Sequence, residues 1–201
     1  MRRLAAVLVL LAVPMAAQEI YDVLLKNGHV IDPKNKRNGR MDVAITGNRI
    51  QRIESDIPAA HARRIVDVSD YYVTPGLIDL HEHVDAIHDA HSINADHNTL
   101  RHGVTTVVDA GSSGYKTFEE FKEKVIDESK VRILAWLNIV GGGMSGIDNQ
   151  NDFHTMDPEA AARMAQKYPQ IIVGIKTAHY QPADWEGIDR AVKAAELSKT
   201  I

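Results

Sequence analysis

Cysteine is absent from all 201 residues, so neither a disulfide framework nor a lipid-bearing cysteine is available. Long apolar runs are also missing. The stretch Leu4–Val13 is too short to cross a bilayer, and nothing later is long enough to try, which excludes a stable membrane span. Basic charge is in deficit, with 23 Lys+Arg against 27 Asp+Glu. No basic stripe or aromatic-interleaved Lys/Arg cluster occurs, which argues against nucleic acid as a partner. There is no internal repeat and no low-complexity tract.

What is present begins with Met-Arg-Arg, the apolar run, and then Pro-Met-Ala-Ala-Gln-Glu. That is the layout of a signal peptide, expected to occupy residues 1–17 and to end after Ala17. The mature protein is then exported, periplasmic or secreted. Cleavage takes Lys+Arg from 23 to 21 against 27 acids, moving the net charge from −4 to −6. Removing 17 of 201 residues leaves 184. A closed (β/α)₈ barrel usually needs about 250.

Residues 18–72 read as β structure. Asp22–Leu25 and His29–Ile31 flank Asn27-Gly28, a strong hairpin signal, and Asp42–Ile45 and Arg49–Ile53 flank Gly47-Asn48. Arg64–Val68 alternates polar and apolar. The expectation is the first part of a small β-sandwich.

Residues 73–201 change period. Leu77–His81, Thr105–Ala110, Ile133–Val140 and Ile171–Lys176 are short apolar runs, as parallel strands buried on both faces should be. Helical stretches separate them. Asp96–His102 is closed by Gly103, and Thr117–Glu120 has the form of a capping box. Asp157-Pro158 is an N-cap with proline at the first helical position, and Asp184–Lys199 forms a fourth helix despite Gly187. Four strand–helix units in a row make an α/β fold, either a doubly wound sheet or a barrel. A dinucleotide fold would carry a Gly-rich turn after its first strand. Here that strand ends in His81-Glu82-His83, which favours the first half of a (β/α)₈ barrel.

Alternating side chains place His81 and His83 on one face, where two imidazoles can share a zinc-like ion. The run Val73-Thr-Pro-Gly-Leu-Ile-Asp-Leu-His-Glu-His-Val84 resembles the metal-binding first strand of the amidohydrolase superfamily. Gly103–Gly111 looks like that family's second strand, and Lys176-Thr-Ala-His-Tyr180 with Trp185–Val192 looks closest to its dihydroorotase-like, amidohydrolase/deacetylase branch. A lysine on a buried strand is costly when charged, which favours a nucleophilic neutral amine. Lys176 resembles the family's bridging lysine, carbamylated by CO₂ so that its two oxygens span two metal ions. The resemblance implies two divalent metals, zinc by default, that activate water as hydroxide for attack on an amide or ester. The implied substrate is a small molecule: an N-acyl amino acid, a cyclic amide or an acyl ester.

The family's remaining ligands, a histidine on each of strands five and six and a general-base aspartate on strand eight, have no counterpart before Ile201. No catalytic residue is therefore assigned, and the chain reads as the N-terminal half of the parent enzyme. Alternatively it is a catalytically incomplete fragment, with unpaired strand edges that invite homo-oligomerisation. His179 and Tyr180 are candidates to touch substrate or to pack the rim. Asp79 is expected to support the ligands from within the barrel. Asp109 is expected either to hydrogen-bond a ligand histidine from behind or to cap a loop. His88 and His91 lie in the first strand–helix loop, where barrel enzymes make substrate contacts, while His97 and His102 read as surface residues. Gly141–Gly146 has no lysine and no helix start behind it, so it reads as a flexible rim loop rather than a phosphate cradle.

Overall fold

The computed structural model describes residues 20–144 and 150–201, so the signal-peptide stretch 1–17 and the end of the glycine-rich loop lie outside the described residues. The described residues form two compact units, which divide between Pro75 and Gly76.

The first unit is one mixed sheet of the kind that makes a single layer of a β-sandwich. Its strands are β1 (Tyr21–Asp32), β2 (Arg37–Thr46), β3 (Arg49–Glu54), β4 (Ala62–Asp67) and β5 (Tyr72–Val73), in the order β3-β2-β1-β4, with β5 also on β1. The turn at Gly47-Asn48 forms the expected hairpin, pairing Thr46 with Arg49, and Gly47 adopts φ +57°. The Asn27-Gly28 hairpin does not form. β1 runs straight through it, and both flanks pair with β2 across a one-residue bulge between Leu25 and Gly28. The bulge is tied down by Asp42, which accepts from Asn27 N at 2.8 Å and from Lys26 Nζ at 2.6 Å. Asn27 takes φ +65°, and a Cβ on Gly28 would come within 2.6 Å of Val73 Cγ2. Asn-Gly thus supplies positive φ for a bulge, which needs it as much as a hairpin turn does.

The second unit is a four-stranded parallel sheet. β6 (Leu77–Glu82), β7 (Val104–Asp109), β8 (Arg132–Asn138) and β9 (Ile172–Lys176) lie side by side in chain order. The helices α1 (Ala95–Asn98), α2 (Phe118–Phe121), α3 (Pro158–Lys167) and α4 (Glu186–Ser198) follow them in turn. Sequence-adjacent parallel strands with crossover helices are four units of a barrel wall. Between sheet and helices sit Val107, Ile133, Leu137, Phe118, Phe121 and Ile172, all fully buried or nearly so. The Phe118 and Phe121 rings meet edge to face at 6.2 Å; truncating either to alanine should cost about 3–5 kcal/mol. In α3 the buried face is Ala161, Ala162 and Ala165, small enough to bring the helix close to the sheet. Its N-cap is as expected, with Asp157 accepting from Ala160 N at 2.9 Å.

Three local expectations fail. Thr117 does not cap α2; its hydroxyl bonds Gly114 N and O, and Glu120 turns outward to Lys124 and His88. The helix expected over Asp96–His102 is broken into α1 and a separate turn, Leu100–His102. Thr99 Oγ1 takes the Ala95 carbonyl at 2.8 Å, competing with the backbone ladder. β6 is not buried on both faces, because it is an edge strand whose Leu77, Ile78 and Leu80 remain exposed. Among the described residues no helix is long and apolar enough to cross a membrane.

Candidate metal centre

The strand ends of the second unit share one edge, and the residues singled out above lie along it. His81 is in β6 and His83 is one residue past its end. Their rings stand edge to face with centroids 5.7 Å apart. A metal about 2.0–2.1 Å from one nitrogen of each ring sits roughly 3 Å from each centroid, and a tetrahedral angle then separates the centroids by about 5 Å. The observed spacing is close to that, so the pair suits a divalent ion as a donor set. Asp79 accepts from His81 N at 3.0 Å and so braces the strand end through its backbone.

His83 is held from behind. Its Nδ1 lies 2.9 Å from Ser112 Oγ, which leaves Nε2 as the outward nitrogen. Asp109 does not touch the imidazole. Its carboxylate, with no exposed surface, accepts from Val84 N at 2.9 Å, Gly111 N at 3.1 Å and Ser112 N at 2.8 Å. It therefore caps the loop after β7 and pins the residue next to His83. Burial pushes the Asp109 carboxyl above its ordinary range, and the Val84 N–H, the side chain and N–H of Ser112 and the nearby His83 oppose the rise.

Lys176 ends β9 and is half-buried, less enclosed than a mid-strand position would be. Its stem packs on the same loop: a Cβ on Gly111 would stand 2.8 Å from Lys176 Cγ. His83 and Lys176 thus flank neighbouring residues, Ser112 and Gly111. The Lys176 ammonium forms no ion pair or hydrogen bond among the described residues. The next residue, Thr177, has a buried hydroxyl without a partner. Among the described residues no group of three His, Cys, Asp or Glu side chains gathers in a metal-binding cluster.

Asn138 escapes a reading of motifs, yet it is fully buried at the end of β8 and organises this edge. Its Nδ2 donates to Gly111 O at 3.0 Å, and its Oδ1 accepts from Val140 N at 3.0 Å. A polar residue ending an otherwise apolar run was the available signal. The described part of the glycine-rich stretch, Gly141–Met144, is not a loose rim. Gly141–Gly143 are buried, Met144 N donates to Ser112 O at 3.0 Å, and a Cβ on Gly143 would lie 2.1 Å from that same oxygen. These glycines allow two backbones to touch.

Tyr180 packs the rim. Its hydroxyl donates to Asp184, and its ring lies on Gly187 of α4, where a Cβ would come within 2.8 Å. The hydrogen bond to Asp184, with burial behind it, raises the phenol above its ordinary range. His179 is exposed, with φ +58°. In the first loop His88 is clamped between Asp85 (2.8 Å) and Glu120 (3.3 Å), a structural brace, and His91 leans on Asp89 at 3.2 Å.

No protein-family model matches the sequence. A deacetylase of Agrobacterium fabrum is 28% identical over 174 residues, 84% of this chain and 42% of its own length. A dihydroorotase of Clostridium acetobutylicum is 30% identical over 132 residues, 63% of this chain and 31% of its own. The crystal structure of a dihydroorotase superposes with a TM-score of 0.76 at 26% identity, covering 89% of this chain and 49% of the other. An N-acyl-D-glutamate deacylase crystallised with zinc and a phosphonate inhibitor shares the fold at a TM-score of 0.62 and 19% identity, over 91% of this chain and 44% of its own. The chain belongs to the amidohydrolase superfamily, whose barrel supplies the four strand–helix units seen here. It spans half or less of the length of these relatives.

Proposed function

We propose that this chain carries the first-strand and fourth-strand part of a metal-dependent amidohydrolase site that cleaves a small amide. The observation that carries the reading is the paired imidazoles at the end of β6, with His83 fixed through Nδ1 so that Nε2 faces outward. His81 and His83 would hold one divalent ion, and Lys176, as its carbamate, would bridge to a second. When bound, such ions polarise a carbonyl and lower the pKa of water. The chain's own part is positional. Asp79 and Asp109 hold the backbone on either side of the two histidines, and Asn138 fixes the loop on which Lys176 rests. Deacylation of an N-acyl amino acid is favoured over opening of a cyclic amide, supported by the deacetylase among the relatives.

The test is metal content after zinc loading with bicarbonate and gel filtration, followed by acetate release from N-acetyl amino acids and ring opening of dihydroorotate. The wild-type chain should retain zinc, and the His81→Ala/His83→Ala double variant should lose it; equal zinc in both would sink the reading. Retained zinc with no turnover of any amide supports the alternative of a catalytically incomplete fragment. What favours that alternative is that no three His, Cys, Asp or Glu side chains cluster as a metal site among the described residues.

Export to the periplasm or medium is part of the same proposal, supported by the Met-Arg-Arg leader and its Ala-Ala ending. N-terminal sequencing of secreted material should begin at Gln18. Self-association along β6 is proposed from its exposed Leu77, Ile78 and Leu80, and sedimentation velocity would reveal it.

A further inference from the structure

β6 and β7 lose register just where the first metal-ligand candidate stands. Asp79 pairs with Val107 and Glu82 with Asp109, so Leu80 and His81 together face Val108 alone. Two residues opposite one make a β-bulge, which re-aims a side chain and takes backbone groups out of the regular ladder. β6 is also an edge strand, with no second neighbour among the described residues to take up those groups.

Two side chains hold the peptide that joins Leu80 to His81. Its N–H, that of His81, donates to Asp79 Oδ1 at 3.0 Å, and its carbonyl, that of Leu80, accepts from Trp136 Nε1 at 3.3 Å. An indole nitrogen only donates and a carbonyl only accepts, so this bond has a single direction.

Trp136 reaches that carbonyl from β8, two strands away. In a flat sheet the gap would be about 10 Å, so the contact requires the sheet to curl toward the face on which the indole lies. The other end of the ring rests on β9. Trp136 pairs with Gly174, and a Cβ there would come within 2.4 Å of Trp136 Cζ3, so the ring lies flat because that position carries no side chain. Gly174 stands two residues before Lys176. The half-buried indole thus spans from the strand of the histidines to the strand of the lysine.

We propose that Trp136 is a positioning residue for His81: with Asp79 it clamps the Leu80–His81 peptide at the bulge and so sets where the His81 imidazole stands. His81 needs that support, because its side chain is exposed and its ring makes no hydrogen bond among the described residues. The purpose of the clamp rests on the metal-centre reading, whereas the clamp itself exists without metal and is tested there first.

The experiment begins with the metal-free 201-residue chain, ¹⁵N-labelled on tryptophan and histidine. Trp185→Phe, at a position 69% exposed, assigns the two indoles. The Trp136 indole N–H should exchange with water several-fold more slowly than that of Trp185. Trp136→Phe should move the His81 amide peak, assigned with His81→Gln, and leave those of His29 and His61 in the first unit in place. A wild-type Trp136 indole that exchanges as fast as Trp185, or a His81 amide that does not move, overturns the clamp. Zinc affinity should fall about tenfold in Trp136→Phe, the lower end of the usual effect of removing a support from a ligand. It should fall no further when Trp136→Phe is added to His81→Ala, since the support then has no ligand to place. Asp79→Ala, which releases the other side of the same peptide, should behave alike and decides the matter if Trp136→Phe does not fold. An unchanged zinc affinity, or an equal loss in the His81→Ala background, overturns the positioning role. A protected indole and a shifted His81 amide in a chain whose zinc content ignores His81→Ala/His83→Ala leave the clamp standing and remove the metal reading instead.

Discussion

The carboxylate of Asp109, at the end of β7, accepts a hydrogen bond from Val84 N at 2.9 Å, across 25 residues of sequence. Through that bond one strand sets the backbone next to another strand's metal-ligand candidate. A polar group buried this deeply is tolerated only when its partners are complete.

Replacing Asp109 by asparagine should therefore be costly although the shape is kept. An amide has one acceptor oxygen, so its NH₂ must face an N–H of either Val84 or the Gly111–Ser112 pair. The unpaired donor should cost about 1–3 kcal/mol. Urea unfolding measures it; an unchanged midpoint would contradict the cap.

Lys176→Ala should lower zinc retained in the presence of bicarbonate while leaving the fold intact, since the lysine head forms no ion pair and only its stem packs on Gly111. Bicarbonate should raise zinc content in the wild type and have no effect in the variant. Equal metal in both proteins, with and without bicarbonate, would remove Lys176 from the site.

Gly143→Ala should destabilise by more than an ordinary surface glycine substitution. The position has φ +73°, and the added methyl would meet Ser112 O at 2.1 Å. Backbone strain of order 1–3 kcal/mol is expected before any clash is counted.

Acid should weaken the first unit through Asp42. Burial alone would raise this carboxyl, but the Lys26 ammonium and the N–H groups of Asn27 and Ile57 outweigh it and hold it below the ordinary range. A group depressed in the folded state stabilises above its unfolded pKa and loses that contribution as pH falls through the folded value. Stability should thus drop below about pH 4, where an unfolded aspartate begins to protonate. Asp42→Asn should flatten that part of the stability profile; an unchanged acid slope would show that Asp42 is not the group responsible.

Several features were legible because they are local. His81 and His83 share a face through strand alternation, Gly103 closes its turn, and Asp157-Pro158 starts α3. The period change after Pro75 marks where β-rich sequence gives way to strand–helix units. Misreadings came where two interpretations share one signal. Asn27-Gly28 fits a hairpin or a bulge, and the choice lay with β2, which had more to pair with on both flanks. Thr117 fits a capping box, but Gly114 lay closer to its hydroxyl.

By itself the sequence determined the parallel order of the second unit, the pair of imidazoles and the family to which the chain belongs, because these depend on periodicity and on residues close together in the chain. Tertiary structure alone decided what stands behind them. Ser112 under His83, Asn138 on Gly111 and Asp109 on Val84 are separated by 29, 27 and 25 positions. Hydrogen bonds of that reach leave no periodic trace, since they exist only once neighbouring strands have been laid side by side.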